Sequence, residues 1–127
     1  MTARVVVIGA SGNVGTGVLR ALAAQHPDAH VIGVCRRPPA DAYPGVDWRV
    51  VDLGAASAAA DLAPVLRGAD VVVHLGWAIQ PVRDEAYLDR VNIDGTRALL
   101  RAMAAEGWSS SSTPRRWGST RPVRRSR

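Results

Sequence analysis

Three glycines at a fixed interval, Gly9, Gly12 and Gly15, are the residues of this sequence best suited to chemistry, and that chemistry is the holding of a phosphate. They stand in the run Gly9-Ala10-Ser11-Gly12-Asn13-Val14-Gly15, with an apolar β-branched segment before it and a helical pattern after it. A strand that turns sharply into a helix presents the first helical amides, and the positive end of the helix dipole, to an anion at the turn. Each glycine has its own task. Gly9 permits the tight turn, Gly12 lets the backbone approach a pyrophosphate with no Cβ in the way, and Gly15 lets helix and strand pack closely. An ordinary glycine-rich turn shows the same residues; the strand before and the helix after distinguish a dinucleotide seat, to which Ser11, Asn13 and Val14 also contribute.

The elements that must position this turn follow from periodicity. Arg4 to Ile8 has the composition of a strand buried on both faces, and Val31–Val34, Val46–Val51 and Val71–Leu75 are three further apolar runs. Val14, Val18, Leu22, Leu19 and Ala23 fall at helical spacing, and Pro27 stops that pattern. Asp61 is suited to cap a short helix ending at Leu66, with Pro64 in its first turn, and Gly68-Ala69-Asp70 turns into the fourth strand. Asp84 to Ala105 reads as one long helix with Tyr87, Val91, Gly95, Leu99 and Met103 stacked every four residues. Strands without alternation, interleaved with helices, predict an α/β fold: an incomplete Rossmann domain, a doubly wound parallel sheet of about four strands.

Composition narrows the setting. The 127 residues, 47% of them apolar, suit one small domain. No stretch approaches the roughly 20 apolar residues that span a bilayer, and the start resembles no signal peptide, so the expected location is the cytoplasm, with no membrane partner. Cys35 is the only cysteine, which excludes an intrachain disulfide and a cysteine-based metal cluster; it reads as a small buried hydrophobe. The net charge of +5 is unevenly placed, since residues 1–107 carry 10 Arg and 11 acidic groups whereas residues 108–127 carry 6 Arg and no acid. The body therefore lacks the footprint of a nucleic-acid binder, and the basic excess belongs to a tail.

The GxxGxxG spacing resembles the short-chain dehydrogenase/reductase superfamily in its extended, epimerase/dehydratase-like branch. Three other stations agree in order: Asp52-Leu53, similar to that family's adenine-contacting pair; His74-Leu75-Gly76 with Trp77, similar to the segment that lines the cofactor; and Asn92-Ile93-Asp94-Gly95-Thr96, similar to its NxxGT helix. The resemblance covers Arg4 to about Gly107 and implies an NAD(P)-binding portion of such an oxidoreductase, with a small-molecule substrate that the sequence does not specify. Trp77 and Gln80-Pro81 would shape the nicotinamide side. Asn92 and Thr96 share a helix face and suit a structural role beside Gly95, His74 reads as a satisfied strand-end residue, and His26 and His30 as surface residues. About 20 residues past the glycine turn, where an acid would bind the ribose 2′-hydroxyl of NAD, stand Cys35, Arg36 and Arg37; two guanidiniums there favour the 2′-phosphate of NADP over NAD.

The family's chemistry uses a Ser or Thr and a Tyr-x-x-x-Lys pair. This sequence has no Lys, and Tyr43 and Tyr87 lie too early to match, so no catalytic and no metal-binding residue is assigned. Residues 1–107 read as the partial domain. From Trp108 to Arg127 the chain turns to Arg, Ser, Pro and Trp without periodicity, which predicts a disordered tail. The tail also reads as a frameshifted remnant. With one G restored at Gly107 and G/C-rich codons, the other frame gives Val-Glu-Gln-Leu-Val-His-Ala-Ser-Ser-Val-Gly-Val-Tyr-Ala-Pro, placing Ser opposite Arg115 and Arg116 and Tyr opposite Thr120. A sheet cut short there would expose the edge of its fourth strand to self-association. The second functional reading is a non-catalytic dinucleotide-sensing module. Sequencing of the gene around Gly107 tests the frameshift: a single-base change that restores a strand followed by Ser and Tyr is expected, and its absence would refute the idea.

Overall fold

The computed structural model describes residues 2–39, 43–76 and 84–108, so the expectations for Trp77, Gln80, Pro81 and residues 109–127 lie outside the described residues. Four parallel strands, β1 (Arg4–Ile8), β2 (His30–Cys35), β3 (Val46–Val50) and β4 (Val71–His74), form a sheet in the order β3-β2-β1-β4. Val6 pairs in register with Ile32 on one side and Val72 on the other. The chain runs outward from β1 to β3 and then crosses back to β4, so the strand order reverses beside β1. In open α/β sheets a ligand binds at that reversal, outside the carboxyl ends of the strands.

Residues alternate along β1 and feed two cores. Val6 and Ile8 join a larger core beneath α2 (Ala58–Leu66) and α4 (Gly95–Ala105), with Leu62, Leu66, Leu99 and Met103. Val5 and Val7 join a smaller one beneath α1 (Asn13–Gln25), with Ala10 and Leu19. Helices on both faces and four parallel strands are the doubly wound half-domain that the sequence predicts. Among the described residues no helix is long and apolar enough to cross a membrane.

Four local expectations change. In α1 the buried face holds Gly15 and Leu19, with Val18 and Leu22 partly buried, whereas Val14 is 67% exposed and Ala23 is exposed as well. The first turn of α1 stands at the end of β1 rather than over the sheet, so Val14 has nothing to pack on. Helix α2 begins three residues before Asp61: Ser57 is the N-cap residue, and its hydroxyl donates to Asp61 Oδ2 at 2.8 Å. Pro64 therefore lies inside the helix. It withdraws one N–H from the ladder, and Ala60, whose carbonyl loses that partner, is exposed to water.

The long helix is continuous but not uniform. After Asp84 it runs as α3 (Glu85–Asp89), passes through a π turn (Arg90–Asp94) and resumes as α4. Residues four apart drift around an α-helix of 3.6 residues per turn, and the wider π turn reverses part of that drift, which keeps Val91, Gly95, Leu99 and Met103 on one buried face. Trp108, which composition places with the tail, is buried in the larger core. Its N–H donates to the Met103 carbonyl at 2.9 Å and the Gly107 N–H to the Ala104 carbonyl at 3.1 Å, with Gly107 at φ +84°. These are the paired bonds of a Schellman C-cap, which brings the residue after the glycine back against the helix.

One substitution in α1 separates two glycines by sign. A Cβ on Gly15 would lie 2.3 Å from the Gly9 carbonyl oxygen, whereas one on Gly17 would meet nothing within 4 Å. Gly15→Ala is expected to lower stability by about 2 kcal/mol through overpacking, and Gly17→Ala to raise it by about 0.5–1 kcal/mol through helix propensity, both read by urea denaturation.

Candidate functional site

A cleft of about 260 Å³ opens at the carboxyl ends of β1, β2 and β3, and residues from three of the four sequence stations line it, the exception being the one at residues 92–96. Its wall at the glycine turn is Gly9, Ser11 and Gly12; Arg36 follows β2; Asp52 and Leu53 follow β3; Leu75 and Gly76 follow β4. Five apolar and aromatic residues that the sequence reading treats as core or leaves aside also line it: Ile8, Val34, Val51, Val91 and Tyr87. They are the last residues of buried strands and one face of the helix after β4, and only the strand order shows that these ends converge.

The turn itself is built from contacts that allow no side chain. Gly9 has φ +81°, and a Cβ there would come 2.6 Å from the Leu75 carbonyl, so the turn after β1 lies directly on the segment after β4. Gly9 N–H donates to the Val34 carbonyl at 2.9 Å, which ties the turn to the end of β2 as well. Gly12 is different: it is exposed, its φ is −76°, and an added Cβ would meet only the Gly9 carbonyl oxygen, at an ordinary 3.5 Å. It is also the N-cap residue of α1, and no side chain caps that end, so the amides of Asn13, Val14 and Gly15 carry the free positive end of the helix. Asn13 and Val14 contribute this backbone and do not line the cleft; Gly15 serves packing.

Cys35 ends β2 as a buried thiol. Burial raises its pKa, against which hydrogen bonds from the Ser11 side chain and the Arg37 backbone act in the opposite sense. Arg36 leaves the strand end and donates to the Tyr87 hydroxyl, its guanidinium carbon 5.5 Å from the ring centroid. Arg37 is exposed and does not line the cleft. Asp52 Oδ1 accepts from Gly54 N–H at 2.9 Å, which fixes the carboxylate and leaves its second oxygen for a ligand donor.

Leu53 joins the cleft to the helix behind it. A Cβ on Gly76 would lie 2.6 Å from Leu53 Cδ1, and one on Gly95 2.9 Å from Leu53 Cβ, so two glycines make room for one leucine. Asn92 lies one residue past Val91, half-buried and off the cleft wall, and its carbonyl accepts from the Thr96 hydroxyl at 2.7 Å. Since that hydroxyl has only one proton, Thr96 Oγ1 accepts from His74 Nε2 at 3.2 Å. His74 is thereby the Nε2–H tautomer, its Nδ1 accepting from Gly76 N–H at 3.4 Å, and it ties β4 to the first turn of α4 as a strand-end residue with its bonding satisfied. His26 and His30 are exposed, and His30 Nε2 is 3.6 Å from Asp47.

Comparison with known proteins gives a consistent result. The profile of the NAD(P)H-binding family matches residues 9–113. An uncharacterised protein of Mycobacterium tuberculosis is 38% identical over 105 residues, which are 82% of this chain and 11% of that protein. Among solved structures, uronate dehydrogenase from Agrobacterium tumefaciens superposes with a TM-score of 0.67 at 28% identity, covering 84% of this chain and 38% of that one. A short-chain dehydrogenase/reductase superfamily protein from the same organism, with bound NAD, superposes with a TM-score of 0.67 at 31% identity, covering 82% of this chain and 30% of that one. The chain thus spans a minor part of the length of each protein it matches.

Burial of His74 lowers its pKa below the ordinary histidine value near 6.5. The unfolded imidazole takes up its proton on falling through that value, the folded one only at lower pH, so acid favours the unfolded state in the interval between them. Melting temperature is expected to fall as pH drops from about 7.5 to about 5.5, and His74→Gln to flatten that slope in a thermal melt series.

Proposed function

The chain belongs to the NAD(P)H-binding family, and from that premise we propose that it is the cofactor-binding half of an epimerase/dehydratase-like short-chain oxidoreductase, selective for NADP over NAD. The observation that carries the reading is Gly12. Gly9 and Gly15 are required by the protein's own packing, but among the described residues nothing requires a glycine at 12. Its bare backbone, beside the uncapped amides of α1, is explained by a ligand phosphate that comes within contact distance. The cleft fits the adenosine half of a dinucleotide, being smaller than the roughly 300–1,000 Å³ of complete ligand pockets.

In this reading Gly12 and the amides of Asn13 and Val14 hold the pyrophosphate, with Ser11 at its edge. The Asp52 carboxylate accepts from the adenine amino group, and Leu53, Leu75, Gly76 and Val91 form apolar walls. Arg36, with Arg37 beside it, meets the 2′-phosphate as guanidiniums that carry several N–H donors. Trp77 belongs to the nicotinamide side by resemblance, and Asn92 to the cofactor-binding set through the helix that it anchors. When bound, the dinucleotide would supply hydride chemistry, and the residues of this chain would bind and orient it. The proton-transferring Tyr-x-x-x-Lys pair is not among the 127 residues, so the chain is proposed to bind cofactor without turnover, and its substrate belongs to parts of the enzyme outside this sequence.

Isothermal titration is expected to show binding of NADP that is tighter than that of NAD, and Gly12→Val is expected to weaken both by about tenfold or more while the folded stability stays near that of the parent. Absence of heat with either dinucleotide at millimolar concentration would refute the seat.

A further inference from the structure

We propose that Tyr87 is the positioning residue for ribose selectivity: it holds Arg36 across the mouth of the cleft, where the 2′-phosphate would lie. The inference rests on the NADP reading above. Arg36 and Tyr87 are 51 positions apart and meet at the cleft, which the end of β2 and the helix after β4 both line. The Tyr87 hydroxyl accepts from Arg36 Nη1, and the ring lies 5.5 Å from the guanidinium carbon. One donor is thus engaged and four N–H groups remain. A long side chain that would otherwise lose rotamer freedom on meeting a phosphate is fixed beforehand, and preorganisation of that kind is what affinity gains from.

Tyr87 is itself held in place. Its backbone N–H donates to Asp84 Oδ1 at 3.1 Å, and Arg90, 3.7 Å from Asp84 Oδ2, has its guanidinium carbon 5.8 Å from the ring centroid. Helical spacing presents Tyr87 as one more member of a buried stripe. A core residue accounts for its ring, which packs against the larger core, but not for its hydroxyl, which meets a cation on the cleft wall.

The test uses the adenosine half alone. Adenosine 2′,5′-bisphosphate and 5′-AMP are titrated into the full chain, into Tyr87→Phe, into Arg36→Ala and into the double variant. Tyr87→Phe is expected to lower the preference for the bisphosphate over 5′-AMP roughly tenfold, the worth of one hydrogen bond to a charged group. The double variant should show no further loss beyond Arg36→Ala, because Tyr87 acts through Arg36. Equal weakening of both ligands by Tyr87→Phe, or a loss of preference that persists without Arg36, would overturn the assignment. If the unaltered chain binds both ligands without preference, the NADP reading falls with it; if it binds neither, the cofactor seat falls too.

Discussion

Helix α1 meets the turn after β1 at a separation that leaves no volume for one carbon atom, since a Cβ on Gly15 would sit 2.3 Å from the Gly9 carbonyl oxygen and 2.7 Å from the Ala10 Cα. The rest of the arrangement depends on this contact. It brings the uncapped end of α1 down onto the strand ends, and it forces Gly9 into a left-handed conformation that lies against the Leu75 carbonyl. A methyl group at either glycine would lift the helix from the sheet, and the free amides would no longer point at the cleft. Gly12, between the two, is spared this crowding: it is exposed, and its lack of a side chain faces outward rather than inward to the fold.

A second close approach extends the order to the far side of the cleft. Leu53, sandwiched between Gly76 and Gly95, makes the segment after β3, the segment after β4 and the start of α4 parts of one packed unit. His74 and Thr96 reinforce it with a hydrogen bond between β4 and the first turn of α4. The cleft is therefore floored by packing rather than by loop conformation. A site supported by packed strands and helices holds its groups more closely than one built on loops.

Much of this was legible beforehand because each strand here is a short apolar run ended by a polar or turn residue, and the glycine turn announces the first crossover. Arg4–Ile8 is read correctly from composition alone, and the run Val71–Leu75 exceeds β4 by one residue. Helix boundaries were less legible: Ser57 and Asp61 are both good capping residues, and the choice between them depends on Ala58 and Leu62 packing into the core, a tertiary fact. The π turn leaves no trace in residue types, since a four-residue apolar spacing fits either hydrogen-bond register. Trp108 was assigned by the company it keeps in sequence, whereas its burial follows from the Gly107 cap. The pairing of Arg36 with Tyr87 was beyond reach, because nothing local to either residue names the other.

The π turn at Arg90–Asp94 decides where this helix can change its number of residues. It amounts to one surplus residue, and on either side of it the helix serves a different neighbour: Tyr87 and Val91 at the cleft, Leu99 and Met103 over α2. Removing one residue within Arg90–Asp94 would close the turn to the ordinary α register and leave the two halves facing much as they do, whereas removing one between Gly95 and Leu99, where the register is already α, would turn Leu99 and Met103 away from the core by about 100°. The helix can therefore lose a residue at the one place and not at the other.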